Sequence, residues 1–213
     1  MARVVVSANG NGSPPGGVRA SGPDLRRAIL DTTRHLLIEE GYNHLSMRKI
    51  ARAVGCSATS IYLHFDNKDA LFHALIDEGM EQLHSKLVAS QKAGMRPLNR
   101  LECMCRAYVD FGMENPEYYE VMFTLHAERM ARYPAEKYRR ARRSLETFAQ
   151  VLELASADGS IQVDDKGVAA SILWTSLHGA VALMLARRID ASIEAETYTD
   201  AVIRHSIEGF RRN

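Results

Sequence analysis

Net charge is almost absent from this chain: 27 Lys and Arg stand against 26 Asp and Glu, a formal charge of +1. That balance excludes a uniformly basic nucleic-acid wrapper, so any function on DNA has to rest on a local patch. Cysteine is scarce, three in all and an odd count. Cys103 and Cys105 are two apart on a predicted helix, where side chains diverge by about 200°, so they are placed to share neither a metal nor a bond. A reducing, cytoplasmic compartment is therefore expected. Long apolar runs are missing too. The apolar run at 4–6 is too short for a signal-peptide core. No stretch approaches the roughly 18 apolar residues of a membrane span, so no membrane partner is expected. Short alternating runs bounded by hairpin turns, the mark of strands, do not occur, and no fixed-period repeat is present.

What the chain does have is helical patterning, and with 213 residues of 46% apolar content it can bury a sizeable core. Residues 1–22, rich in Gly, Ser, Pro and Asn, have the composition of a flexible tail. From Pro23, the residues Leu25, Ile29, Thr32, Thr33, Leu36 and Leu37 recur at helical spacing, and Gly41 suits a C-terminal stop after about five turns. Ser46 suits the N-cap of a second helix through Val54, with Met47, Ile50, Ala51 and Val54 inward and Gly55 for the turn. Ser57 then caps a short third helix, because Asp66 and Asn67 signal a new cap before Leu71 and Leu75 resume the stripe. Downstream, Pro97, Pro116 and Pro134 punctuate apolar-periodic runs, and a break before 166 precedes helical patterns over 166–188 and 194–210. The expectation is an all-α fold of about nine helices, with a helix-turn-helix domain over 23–70 and a helical domain over 71–213.

The short third helix is the informative element. Ile61 and Phe65 lie four apart and face the same side, so they anchor it and leave the opposite side for DNA. Thr59 and Ser60 sit in its first turn, where a helix entering the major groove presents side chains to base edges and phosphates. Between Ser46 and Lys68 four Lys or Arg face one acid, Asp66, so the local charge is positive. The stretch SMRKIARAVGCSATSIYLHFDNKDALF resembles the DNA-binding domain of the TetR family of transcriptional regulators, over residues 25–75. The resemblance is carried by Ile50-Ala51, Gly55, Ser57, Ile61-Tyr62, His64-Phe65, Lys68 and Leu71. It implies that Arg48, Ala58 and Thr59 read bases, that Ser46, Ser60, Tyr62, His64 and Lys68 hold phosphates, and that Ser57 belongs to the same surface as the helix cap. Ala58 departs from the longer polar side chain of many relatives, and a methyl touches only an apolar surface such as thymine C5. Lys68 at a helix start opposes the dipole preference by about a few tenths of a kcal/mol, which suits a phosphate role. Tyr62 and His64 also suit plain surface packing.

The stretch LWTSLHGAVALML resembles the ligand-binding and dimerisation domain of one TetR subfamily, through Trp174, His178 and Gly179. Trp174 and His178 are one turn apart and face one way, and Gly179 would let a neighbouring helix approach closely. With Met104, Tyr108, Phe111, Met122, Phe123 and His126 they form a candidate effector lining; the same side chains also suit an ordinary core. The resemblance implies a homodimeric repressor of palindromic operator DNA, released by a small apolar or amphipathic molecule. Its expected dimer interface is the last two helices, through Ile172, Leu173, Leu177, Val181, Leu185, Val202 and Ile203. The competing reading is a helical metal-dependent enzyme built on the stripe His73, Asp77, Glu81 and His84, which contains one E-x-x-H pair. No second such pair exists, so the stripe reads as a solvated face, as does the basic run at 139–143. No cofactor, metal or catalytic group is expected.

Overall fold

The computed structural model describes residues 22–123 and 135–211, with the backbone alone for Pro23 and for 135–141. Among the described residues there are nine α-helices and no strand. The first half holds α1 (Gly22–Glu40), a 3-10 turn (Tyr42–His44), α2 (Met47–Val54), α3 (Ala58–Tyr62) and α4 (Lys68–Ala89). Then come α5 (Pro97–Glu114), α6 (Pro116–Phe123), α7 (Ala135–Ala157), α8 (Lys166–Leu185) and α9 (Ala195–Glu208).

The boundaries follow local chemistry. Gly41 ends α1 at φ 74°, its N–H donating to Leu37 O at 2.8 Å. Ser46 Oγ accepts from Lys49 N at 3.2 Å to start α2, and Gly55 ends it at φ 79°. Ser57 Oγ accepts from Ser60 N at 3.0 Å, and Asn67 Oδ1 accepts from Ala70 N at 2.8 Å, opening α3 and α4. Proline occupies the first position of α5 and of α6, where its missing N–H costs nothing. Asp165 Oδ1 accepts from Gly167 N and Val168 N at the start of α8.

The buried face of α1 is Ile29, Leu30, Thr33 and Leu37, with Thr33 Oγ1 donating to Ile29 O at 2.7 Å. Leu25, Thr32 and Leu36 lie at its half-buried margins, so the true face is rotated from the stripe expected. Leu45, Ile50, Ala51, Ile61 and Phe65 close a small core over it. The larger core draws Leu83 and Leu87 from α4, Leu101 and Tyr108 from α5, Leu152 from α7, and Leu173 and Leu177 from α8. Each such aliphatic side chain contributes about 1.5–3 kcal/mol by leaving water. The boundary expected at 70/71 falls inside the first turn of α4, so α4 is one rigid rod shared by both halves.

Two expectations change here. The helix Lys166–Leu185 is long and apolar enough, by length and composition, to cross a membrane, contrary to the count made on the sequence. Its Leu173, Leu177 and Val181 are fully buried against the rest of the protein. The metal stripe on α4 is not one solvated face either: His73 is buried and Glu81 pairs with Arg143 at 2.9 Å. Among the described residues, no three His, Cys, Asp or Glu side chains converge on a metal position.

Candidate nucleic-acid interface

The helix pair α2–α3 is fixed from below and open above. Ile50 and Ala51 of α2 and Ile61 of α3 point down into the core, and Phe65 follows one turn later under the guanidinium of Arg26, 5.1 Å above its ring. Five residues are too few for a free-standing helix, so α3 exists because Ile61 and Phe65 are buried. The upper side carries Ser57, Thr59 and Tyr62 exposed, with Ala58, Ser60 and His64 half-buried. Arg48 and Ser46 stand beside them on the exposed side of α2. Apart from Lys68, every expected base-reading and phosphate residue is thus exposed or half-buried on this helix pair and the turn after it.

The two serine caps do not compete with a phosphate role. Ser46 and Ser57 use a lone pair to accept a backbone N–H, and a hydroxyl can still donate its own proton outward. Ser60 Oγ lies 2.8 Å from Ser57 Oγ, which orients both hydroxyls at the helix start. Tyr62 is 51% exposed and Leu63 beside it 81%, so the sequence reading missed an apolar side chain at the rim.

Charge is narrower than the count suggested. Lys49 is taken up by an ion pair with Glu40. Lys68 turns back on the protein: its ammonium donates to Tyr42 O and lies 3.6 Å from the centre of the Tyr42 ring. Desolvation lowers the Lys68 pKa, partly offset by Asp69. Tyr42 in turn donates to Asp69 Oδ1 at 2.8 Å and meets the Phe72 ring edge-on at 4.8 Å. Lys68 thus pins the start of α4 onto the 3-10 turn, a different placement from the free phosphate ligand expected. Arg48 and Arg52 are left exposed, with no ion pair among the described residues.

The second group of expected residues converges elsewhere. His178 lies between the rings of Trp174 (5.1 Å) and Tyr119 (5.3 Å), with Phe123 edge-on at 5.0 Å. Tyr119 Oη is 2.6 Å from His178 Nδ1, and Trp174 Nε1 donates to Tyr108 Oη at 3.0 Å. Burial lowers the His178 pKa, so the imidazole is neutral at neutral pH, and burial pushes Tyr108 up to about 12. Tyr119 was missed in the sequence, although it precedes Phe123 by one helical turn. Met104 and Phe111 are buried on α5. Met122 points away: its sulfur lies 2.5 Å from where a Cβ would stand at Gly79 of α4. His126 lies outside the described residues.

α6 therefore has two working faces. Tyr119 and Phe123 join the cluster, while Tyr118 and Met122 meet α4. Tyr118 Oη donates to Glu78 Oε1 at 2.5 Å, and Arg34 of α1 lies 4.7 Å over the Tyr118 ring. Glu78 also accepts from Arg27 of α1 at 2.5 Å.

Comparison with known proteins decides what these two surfaces belong to. A model of bacterial regulatory proteins of the tetR family matches residues 29–75, and a model of the tetracyclin repressor-like C-terminal domain matches 101–206. This chain belongs to the TetR family.

Curated relatives match this TetR-family chain over less than half of its length. The nucleoid occlusion factor SlmA of Haemophilus influenzae is 30% identical over 94 residues, 44% of this chain and 43% of that protein. An HTH-type transcriptional repressor of Mycobacterium tuberculosis is 43% identical over 58 residues, 27% of this chain and 31% of its own length. The chain thus spans less than half the length of these relatives. A solved tetR-family regulatory protein from Rhodococcus RHA1 superposes with a TM-score of 0.76 at 16% identity, over 89% of this chain and 98% of that one, which establishes the fold.

The expected dimer residues are sorted by burial. Leu173, Leu177, Val181 and Ile203 belong to the core of this one chain, and Val202 and Leu185 are half-buried. Of the set only Ile172, 53% exposed, faces outward. Val168 and Leu183 are exposed on the same helix, with Thr175 and Gly179 between them in sequence. Among the described residues a Cβ at Gly179 would meet nothing within 4 Å, so no described helix uses the close approach expected there.

Proposed function

We propose that this TetR-family chain is a homodimeric, DNA-binding transcriptional repressor released by a small apolar or amphipathic molecule. The carrying observation is the exposed first turn of α3, where Ser57, Thr59 and Ser60 stand beside Ser46 and Arg48 over an anchor of buried Ile61 and Phe65. In this reading Thr59, Ala58 and Arg48 face base edges, and the caps, Tyr62 and His64 face phosphates. Arg52 adds a cation, and Lys68 acts by holding α4 in place. The domains are 23–70 for DNA and 71–213 for effector and partner, with 1–22 as a tail.

One short helix reads only a few base pairs, so two copies are required for a specific site. Val168, Ile172, Gly179 and Leu183 on α8 supply an apolar face with small residues for close helix contact. The effector acts at the cluster of Tyr108, Tyr119, Phe123, Trp174 and His178, which fits the Trp-His-Gly subfamily. A molecule that displaces Tyr119 or Phe123 moves α6, and α6 carries the shift through Tyr118 and Glu78 to α4 and α1.

Selection from a random duplex library tests this directly. Enrichment of an inverted repeat, with half-sites about one helical turn or more apart, supports the reading; recovery of no motif contradicts it.

A further inference from the structure

Successive residues of an α-helix turn by about 100°, so the direction of each side chain on α3 follows from the one that is buried. Ile61 has no exposure and points straight down into the core. Thr59 and Leu63, two residues before and two after it, each lie about 200° away and point up. Ser60 and Tyr62 lie about 100° to either side and form the flanks. Leu63 keeps this helical frame although it is the cap of α3. Its φ and ψ are −70° and −19°, and its N–H donates to Thr59 O at 3.2 Å. The crest of α3 is therefore Thr59 and Leu63, one turn apart, with the flanks left to meet phosphates.

That crest has a narrow chemistry. From Ser57 to Leu63 there is no Arg, Lys, Asn, Gln, Asp or Glu. The bidentate pairings with guanine and adenine need a guanidinium, an ammonium or a side-chain amide, so α3 makes neither. The hydroxyls of Ser57 and Ser60 lie 2.8 Å apart, and Ser57 Oγ also accepts from Ser60 N. Leu63 is 81% exposed, the highest value for any large apolar side chain among the described residues. A single exposed leucine on an arbitrary surface says little. This one stands on the open side of a helix whose opposite side is the buried anchor, in line with Thr59.

The feature of the major groove that an aliphatic side chain recognises is the C5-methyl group of thymine. Four residues of helix advance about 6 Å, and base pairs are stacked about 3.4 Å apart. A helix lying along the groove thus brings Leu63 over a base pair about two steps from the one that Thr59 meets. Guanine contacts fall to Arg48 on α2, which is exposed.

We propose that Leu63 is a specificity-determining residue, its isobutyl group seated on the C5-methyl of a thymine, so that each half-site carries an A·T pair under the end of α3. The proposal rests on the DNA-binding reading and names the base class that α3 selects.

The test uses the duplex enriched from the random library, with each thymine of a half-site replaced in turn by deoxyuridine, which keeps the base pairing and lacks only the methyl. Fluorescence anisotropy compares the unaltered chain with Leu63→Ala and Leu63→Met, each checked by circular dichroism. The expected result is one thymine per half-site whose replacement weakens binding of the unaltered chain about fourfold. In Leu63→Ala the same replacement changes affinity by less than about twofold, whereas Leu63→Met, which keeps an apolar tip, retains the loss. Equal losses in the unaltered chain and in Leu63→Ala overturn the proposal, because the methyl is then read by another residue. Loss of affinity in Leu63→Ala with no sensitive thymine also overturns it and assigns Leu63 to the sugar backbone. Specific binding that Leu63→Ala leaves unchanged overturns it while the DNA-binding reading stands; an unaltered chain that prefers no duplex overturns both.

Discussion

Replacing Ile61 by alanine removes the anchor of α3 while leaving every outward-facing side chain in place. Ile61 is 0% exposed, so all three deleted carbons come from the core. At about 0.8 kcal/mol per buried methylene the transfer loss is about 2.4 kcal/mol. The unfilled space adds to this, giving about 3–4 kcal/mol, inside the range of roughly 2–5 for such truncations. A chain of this size loses about 2–4 °C per kcal/mol, so the melting midpoint should fall by about 6–16 °C. DNA affinity should fall too, by up to about a hundredfold, since about 1.4 kcal/mol corresponds to a factor of ten. Leu63, two residues on and 81% exposed, is the built-in control; Leu63→Ala should stay within about 0.5 kcal/mol. Urea and thermal melts followed by circular dichroism measure both. If Ile61→Ala lies within about 1 kcal/mol of the unaltered protein, or Leu63→Ala costs as much, the assignment of inner and outer faces of α3 is wrong.

Three further outcomes follow from the same geometry. Arg48→Ala should cost about 1–3 kcal/mol of binding and relax the base preference, whereas Lys68→Ala should lower thermal stability with little change in the salt slope of binding; anisotropy on matched and mismatched duplexes across a salt series separates the roles. Gly55→Ala forces a Cβ into a left-handed backbone at φ 79° and should cost about 1–2 kcal/mol in a urea melt, although the Cβ itself meets open space. His178 has a pKa lowered by burial, so the unfolded chain takes up its proton first as pH falls below about 6.5 and stability drops there. His178→Phe should therefore gain on the unaltered protein between about pH 7 and about pH 5, and melts across that range check the sign.

The sequence reveals most where one residue type has one local job. Ser46, Ser57 and Asn67 as caps, with Gly41 and Gly55 in left-handed turns, mark the first helices to within a residue or two, because caps and stops depend on neighbours in the chain. Faces formed by tertiary contact are harder to read. α8 is apolar nearly all round, so nothing in its pattern separates Leu173 and Leu177, which are buried, from Val168 and Ile172, which are not. Lys68 looks like a free cation until the fold brings the Tyr42 ring under it. Tyr118 and Tyr119 are identical neighbours in sequence, and only packing sends one to Glu78 and the other to His178. His126 lies outside the described residues, so the effector lining is drawn from the rest.

The most direct test of the central claim is fluorescence anisotropy of the whole protein on its selected duplex and on a scrambled duplex of equal length, from low to physiological salt. A preference of about 10³ or more at physiological salt, with affinity falling steeply as salt rises, is the result expected of a dimer reading bases through α3 and Arg48 and phosphates through its caps, Tyr62 and His64. Equal, weak binding to both duplexes across the series would contradict it and leave the α2–α3 surface without a DNA role.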